Sequence, residues 1–246
     1  MVYQWSTTQE SEGHAMDLVI PVQEARERST AGSAEVSLSE FAYTQILELM
    51  LSGKLQAGAV LQERRLAEML AISRTPIREA LGRLEAESLV SRRHGRVLVV
   101  SDVSVESYVS LLDLRRIIEV EAAARATGRI TVEQCKAIEV AIDELRRVTV
   151  ITPAHHWAVD EMVHGTIAEA TGNPMVVSAI RDLRRRTHIF NTSRIPHRLL
   201  PGASEHLDLL HAVTGNDPEV SRQLMGQHLD NVRDAIIDFI LGRRRS

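Results

Sequence analysis

The sequence predicts a mostly helical chain in two parts: three short helices closed by a small β-hairpin, then an antiparallel all-helical bundle of about six to seven helices. Three observations carry that expectation. Apolar residues make up 44% of the 246 positions but aromatics only 3%, so the cores must be built from Leu, Ile, Val, Ala and Met. Apolar residues recur at three- and four-residue spacing through most of the chain. Cap residues, prolines and glycines punctuate that periodicity where helices should begin and end.

Residues 1–37 show no sustained period and are rich in Ser, Thr, Gly and Glu, which predicts a disordered extension. Ser37-x-x-Glu40 reads as a capping box opening a helix through Leu51, stopped by Gly53. A connection holding Gly53 and Gly58 leads to a helix over about Glu63–Leu70 and the turn Ala71-Ile72-Ser73. Ser73 is placed to cap a third helix, about Arg74–Glu87, with Ile77, Ala80, Leu81 and Leu84 on one face. Two β-branched runs, Leu89–Arg93 and Arg96–Val100, flank His94-Gly95 and read as a hairpin. Over residues 38–101 this is the order of a winged helix-turn-helix.

Residues 101–106 read as a linker, and 105–241 as the helical part. Its helices are expected at about 105–128, 132–149, 153–171, 174–194, 203–214 and 218–241. Thr131-x-x-Gln134 is a capping box. Thr152-Pro153, Asn173-Pro174 and Asp217-Pro218 each set a cap residue before a first-turn proline. Gly128, Gly172 and Gly215 stand where helices should stop.

Composition excludes several classes. One cysteine, Cys135, leaves no internal disulfide framework and fits a reducing cytoplasm. No apolar run is long enough to span a bilayer, and Glu10, Glu12 and Asp17 spoil any secretory signal. The expectation is a cytoplasmic protein without a membrane partner. The net charge of −4 hides a division: residues 41–100 hold nine Lys/Arg against six Asp/Glu, while both flanking regions are acidic. Local charge therefore allows nucleic acid where the total discourages it.

In a helix-turn-helix the second helix enters the major groove, so it needs basic or polar residues near its start and apolar ones behind. Arg74-Thr75-Pro76-Ile77-Arg78 supplies both. Arg74 and Arg78 share a face and can each meet a guanine or a phosphate. Arg64 lies on the preceding helix, Thr75 can donate to phosphate, and His94-Gly95-Arg96 forms a slim basic wing tip. The plainer reading is a solvated helical face on which Arg74, Arg78 and Arg83 pair with Glu79, Glu85 and Glu87. The segment Leu66–Glu85, LAEMLAISRTPIREALGRLE, closely resembles the signature of GntR-family bacterial transcription regulators. That resemblance, over about Phe41–Val100, implies operator contacts by Arg64, Arg74 and Arg78 and a minor-groove approach by Gly95.

In the helical part, Asp160 and His164 are four apart and share a face, while His206 and His228 lie on two later helices. One carboxylate and three imidazoles can converge in a bundle and suit Zn²⁺, Ni²⁺, Mn²⁺ or Fe²⁺. Each histidine alone reads as an ordinary core or surface residue. Residues 105–240 resemble the FadR C-terminal domain (FCD) branch of the same family, through Asp160 and His164, Glu205-His206, His228-Leu229 and Asn173. Val163 departs from the branch, where phenylalanine is usual. The resemblance implies a divalent metal, Zn²⁺ first, at Asp160, His164, His206 and His228. It also implies a small carboxylate effector, with Arg115 of Leu-Arg-x-x-x-Glu as its partner. The alternative for Arg115 is an i,i+4 salt bridge to Glu119. His211 should point away from the metal, His156 and His188 remain ambiguous, and the run Arg184-Arg185-Arg186 reads as a solvated or interface face.

These readings combine into a homodimeric, effector-responsive regulator of palindromic operator DNA, a repressor by the family's habit. Two rivals stand beside it: a sensor in which the metal is itself the effector, and a metal-dependent enzyme. The enzyme lacks a nucleophile motif, and Glu161, its nearest acidic neighbour, belongs to another helical face.

Overall fold

The computed structural model describes residues 37–148, 151–191 and 199–240. The expected disordered extension, apart from Ser37, lies outside them, as do the last residues of the helices expected to reach 149, 194 and 241. The chain divides into two compact units. One runs through Leu49 and resumes over Ala59–Val100; the other takes Met50–Gly58 and the chain from Ser101.

In the first unit, α1 (Leu38–Leu51, its last two residues counted with the second unit), α2 (Glu63–Leu70) and α3 (Arg74–Ala86) precede β1 (Val90–Arg93) and β2 (Val97–Val100). The strands pair antiparallel, with Val90 opposite Val100 and Arg93 opposite Val97. Ile46, Leu66, Leu70, Ile77, Leu81, Leu84, Val90, Val99 and Val100 are buried. The hairpin gains a third edge that periodicity did not reveal. Leu61 N–H donates to Leu98 C=O and Val100 N–H to Ala59 C=O, both at 2.9 Å. A single bridge is too short to leave an alternating pattern.

Two predicted caps differ in detail. Ser37 Oγ accepts from Glu40 N–H at 3.1 Å, but the Glu40 carboxylate pairs with Arg83 at 2.5 Å rather than closing the box. Ser73 occupies the N-cap position of α3 without a side-chain cap bond. The third residue of the helix, Pro76, has no N–H to give, which leaves Thr75 N–H as the one donor within a cap's usual reach. Arg83 is a structural residue, its guanidinium 3.7 Å from the Tyr43 ring centroid and its Nε 3.2 Å from Glu87.

The second unit holds α4 (Val105–Ala126), α5 (Val132–Arg147), α6 (Pro153–Ala170), α7 (Pro174–Asn191), α8 (Leu199–Thr214) and α9 (Pro218–Ile240). Helix α4 packs against α9, α7 and α6, and α5 lies against α6 and α8. Ala122, Ala126, Ile138, Ile142, Val163, Ile167, Leu209, Val213, Met225 and Leu229 form its main apolar core. The Thr131–Gln134 capping box is complete. Thr152, Asn173 and Asp217 each accept a backbone N–H of the helix that follows. Helix α8 starts four residues before the expected position 203. Pro201 falls in its first turn, where a missing N–H costs nothing. None of the described helices is long and apolar enough to cross a membrane.

Candidate functional site

Helix α6 carries Asp160 and His164 one turn apart, α8 supplies His206 and α9 supplies His228. One ligand atom from each of the four lies within 4.8 Å of all the others. The ring centroids are 5.3 Å apart for His164 and His206, 5.2 Å for His164 and His228, and 4.8 Å for His206 and His228. All three imidazoles are buried.

Carboxylates behind the rings set their tautomers. His164 Nδ1 lies 2.6 Å from Glu119 Oε2, and His228 Nδ1 lies 2.8 Å from Glu205 Oε2. An ionised carboxylate only accepts, so each Nδ1 carries the proton and each Nε2 keeps a bare lone pair. Glu205 also accepts from Asn231 Nδ2 at 2.9 Å. Glu119 is held in turn by Arg115, whose Nε donates to Oε1 at 2.5 Å and whose Nη1 donates to Thr187 Oγ1 at 3.0 Å. The i,i+4 bridge open to Arg115 is therefore formed, in the interior.

Asp160 is divided between two tasks. Its Oδ2 accepts from Arg184 Nη2 at 2.6 Å, while Oδ1 lies 3.4 Å from His206 Nε2 and 3.7 Å from His164 Nε2. Neither of those imidazole nitrogens has a hydrogen-bond partner, although both are buried. Burial opposes the charge of Asp160, but Arg184, helped by His164, outweighs it and holds the carboxyl well below the usual carboxylate range. Burial likewise lowers His164 and His228, and takes His206 to about 4. Near neutral pH the site thus offers neutral imidazoles and an ionised carboxylate. Two buried, unpaired nitrogens beside a carboxylate oxygen match the donor set of a divalent transition metal.

The arginine run corrects an expectation. Arg184 is not solvated; it is 1% exposed, pairs with both Asp160 and Glu161, and lies 5.1 Å from the Trp157 ring centroid. Glu161 is bound to Arg184 and Arg181. His211 is exposed and pairs with Glu139 at 3.2 Å. His156 and His188 stack, with centroids 6.1 Å apart. His188 donates from Nε2 to Leu51 C=O at 2.9 Å. Sequence reasoning missed Glu119 and Glu205 as partners of the imidazoles. Glu119 stood out only through its spacing from Arg115, and Glu205 only as the neighbour of His206.

On the first unit, Arg74, Thr75 and Arg78 are exposed on the first turns of α3. Of the plain helical-face pairs Arg83–Glu87 is formed, whereas Arg78 turns to the neighbouring helix. Arg78 binds Glu63 of α2 through Nε at 3.2 Å and Nη2 at 3.0 Å, and Arg64 pairs with Glu68 at 3.2 Å. Arg74 makes no ion pair among the described residues. In the wing, His94 and Gly95 have φ of 50° and 70°, and Arg96 N–H closes the turn on Arg93 C=O. Both central residues of this turn are left-handed, as a tight hairpin requires. His94, Gly95 and Arg96 are all exposed at its tip.

Comparison with known proteins follows the same division. Residues 38–100 match the family described as bacterial regulatory proteins, gntR family, and residues 110–231 match the FCD domain, which includes all four candidate ligands. The HTH-type transcriptional regulator YcbG of Bacillus subtilis is 27% identical over 82% of this chain and 91% of its own length. The Uxu operon transcriptional regulator of Escherichia coli is 28% identical over 72% of this chain and 77% of its own. Among solved structures, E. coli McbR/YncC superposes with a TM-score of 0.71 at 22% identity, over 83% of this chain and 99% of that one. That likeness speaks for the fold. The chain is a transcriptional regulator of the GntR family, not an enzyme, with a gntR DNA-binding domain followed by an FCD domain.

Proposed function

We propose that this regulator binds a palindromic operator as a homodimer and carries a divalent metal, Zn²⁺ first among the candidates, in its helical domain. Residues 38–101 read the DNA and residues 105–241 bind the effector and dimerise. Arg64, Arg74, Thr75 and Arg78 make the major-groove and phosphate contacts, and His94-Gly95-Arg96 approaches the minor groove. A small carboxylate entering the helical domain shifts the balance between DNA-binding and released arrangements, as a repressor requires.

One observation carries the metal reading: His164 Nε2, His206 Nε2 and Asp160 Oδ1 face one another in the interior, and neither nitrogen has a hydrogen-bond partner. When bound, the metal supplies a Lewis-acidic point at which an effector carboxylate can coordinate. Arg115 is the other candidate for that carboxylate, but Glu119 and Thr187 already engage it. A carboxylate at Arg115 must displace Glu119, and this favours the metal as its partner. The deciding experiment is a thermal-shift screen of small carboxylates with the protein loaded with Zn²⁺ and after chelation. The reading expects Zn²⁺ to raise Tm and at least one carboxylate to raise it further only when Zn²⁺ is present. A Tm indifferent to metal sinks it, while operator release by chelation alone would favour the metal as effector.

A further inference from the structure

We propose that Glu63 is a specificity-determining positioning residue, whose carboxylate holds the Arg78 guanidinium side-on and aims its free edge at a guanine. The inference rests on the reading of α3 as the DNA-contacting helix. It starts from the way the two side chains meet. Nε–H and one Nη2–H of Arg78 are given to the two Glu63 oxygens, at 3.2 and 3.0 Å. A guanidinium has five N–H donors in a rigid plane. The side-on pair therefore leaves the adjoining end-on edge, one N–H from Nη1 and one from Nη2, as an unused parallel fork. That fork matches the O6 and N7 acceptors of guanine in the major groove.

The pairing is selective among the candidate contacts. Arg64 has a one-turn bridge to Glu68 within its own helix, and Arg74 has no ion pair among the described residues. Arg78 is gripped by two bonds from another helix across the helix-turn-helix. It is a long and exposed side chain, with many rotamers to lose on docking, and Glu63 removes part of that freedom beforehand. A carboxylate on a face meant for DNA also repels phosphates, so it works against indiscriminate binding. The hydrogen bonds from Arg78 hold the Glu63 carboxyl below its ordinary value, with Arg74 and Arg92 adding to the effect, so it is ionised wherever the protein is folded near neutral pH.

The test uses the full chain and a pool of duplex DNA with a randomised central segment, from which bound sequences are selected. Dissociation constants are then measured for the selected duplex, its single-pair variants and a mixed-sequence duplex. The proteins compared are wild type, Glu63→Gln, Arg78→Ala and the double variant, each checked for an unchanged Tm. The expected result is that Glu63→Gln binds mixed-sequence DNA at least as tightly as wild type. It should nevertheless lose about tenfold in discrimination at one G·C pair of each half-site, within the range a bidentate arginine–guanine contact provides. In the Arg78→Ala background the same substitution should leave discrimination unchanged. If all the dissociation constants of Glu63→Gln shift together, Glu63 acts only through its charge and the proposal falls. A loss of discrimination that persists without Arg78 also overturns it. Failure of the wild type to select any sequence would instead refute the DNA reading of α3, and the proposal with it.

Discussion

Acidifying the metal-free protein tests how completely the helical unit buries its histidines. His188 and His206 are 6% and 1% exposed, and burial takes each from 6.5 to about 4. The folded value lies below the unfolded one, so the unfolded chain takes up protons near pH 6.5 while the folded chain resists them. The stability these groups confer is therefore complete above pH 6.5 and is lost as pH falls toward 4. At about 1.4 kcal/mol per pH unit, each imidazole accounts for about 3 kcal/mol across that window. By pH 5 the two together have given up about 4 kcal/mol, a large share of the about 5–15 kcal/mol that is ordinary for a folded protein. Glu119 and Asp160, whose values are depressed, give up their contributions only as pH falls through about 4 and below, outside the window. The assay is urea unfolding of chelator-treated protein between pH 7.5 and 5, followed by circular dichroism and by Trp157 fluorescence with Trp5 replaced by Phe. The Trp157 ring lies 4.6 Å from that of His188, so it reports on this region. His188→Gln keeps a donor for Leu51 C=O and should reduce the slope of stability against pH by about 1.4 kcal/mol per unit near the middle of the window. An equal slope in variant and wild type would refute the assignment, as would a wild type whose stability is flat from pH 7 to 5.

Three further outcomes are expected. Glu119→Gln should weaken Zn²⁺ binding by about 10–100-fold, read by competition with a chromophoric chelator, because His164 loses the carboxylate that fixes its ring; unchanged affinity would show that the ring is held by packing alone. Arg74→Ala should weaken binding to mixed-sequence and selected duplexes and lower the slope of log K against log salt by about one if it clamps a phosphate, whereas an unchanged slope would assign it to a base. Ser88, which follows α3 with φ of 60°, takes a backbone conformation that glycine adopts freely. Ser88→Gly should therefore raise stability by about 0.5–1 kcal/mol in thermal unfolding, and a fall in Tm would mean that its side chain contributes more than its backbone costs.

The parts of the fold that were legible in the sequence are those fixed by local chemistry. Thr131–Gln134, Thr152, Asn173 and Asp217 cap helices because a side-chain oxygen sits two or three residues from an N–H that needs it. The α2–α3 pair and the hairpin were legible through apolar spacing and His94-Gly95. Ser73 makes no side-chain cap bond, since Pro76 removes the N–H three residues on and Thr75 N–H, two residues on, is not engaged by it. The bridge at Val60 failed because one residue pair has no period.

In the helical unit, the four converging side chains were legible as residue types, whereas their supports were not. The contact between Glu119 and His164 joins positions 45 apart, and that between Arg184 and Asp160 joins positions 24 apart. Nothing in the local pattern distinguishes them from surface charges. Arg184 was misread for a physical reason: three consecutive arginines point in three directions around a helix, and only one of them must face inward. Once it does, burial makes its partners obligatory, because an unpaired guanidinium in the interior costs more than the pair gains. The same reasoning bears on the metal. Arg115 answers Glu119, and Arg184 answers Asp160 and Glu161, yet His164 Nε2 and His206 Nε2 stay buried without a hydrogen-bond partner. Buried polar atoms need partners as a buried guanidinium does, and a dication set among His164, His206, His228 and Asp160 would give those two nitrogens theirs.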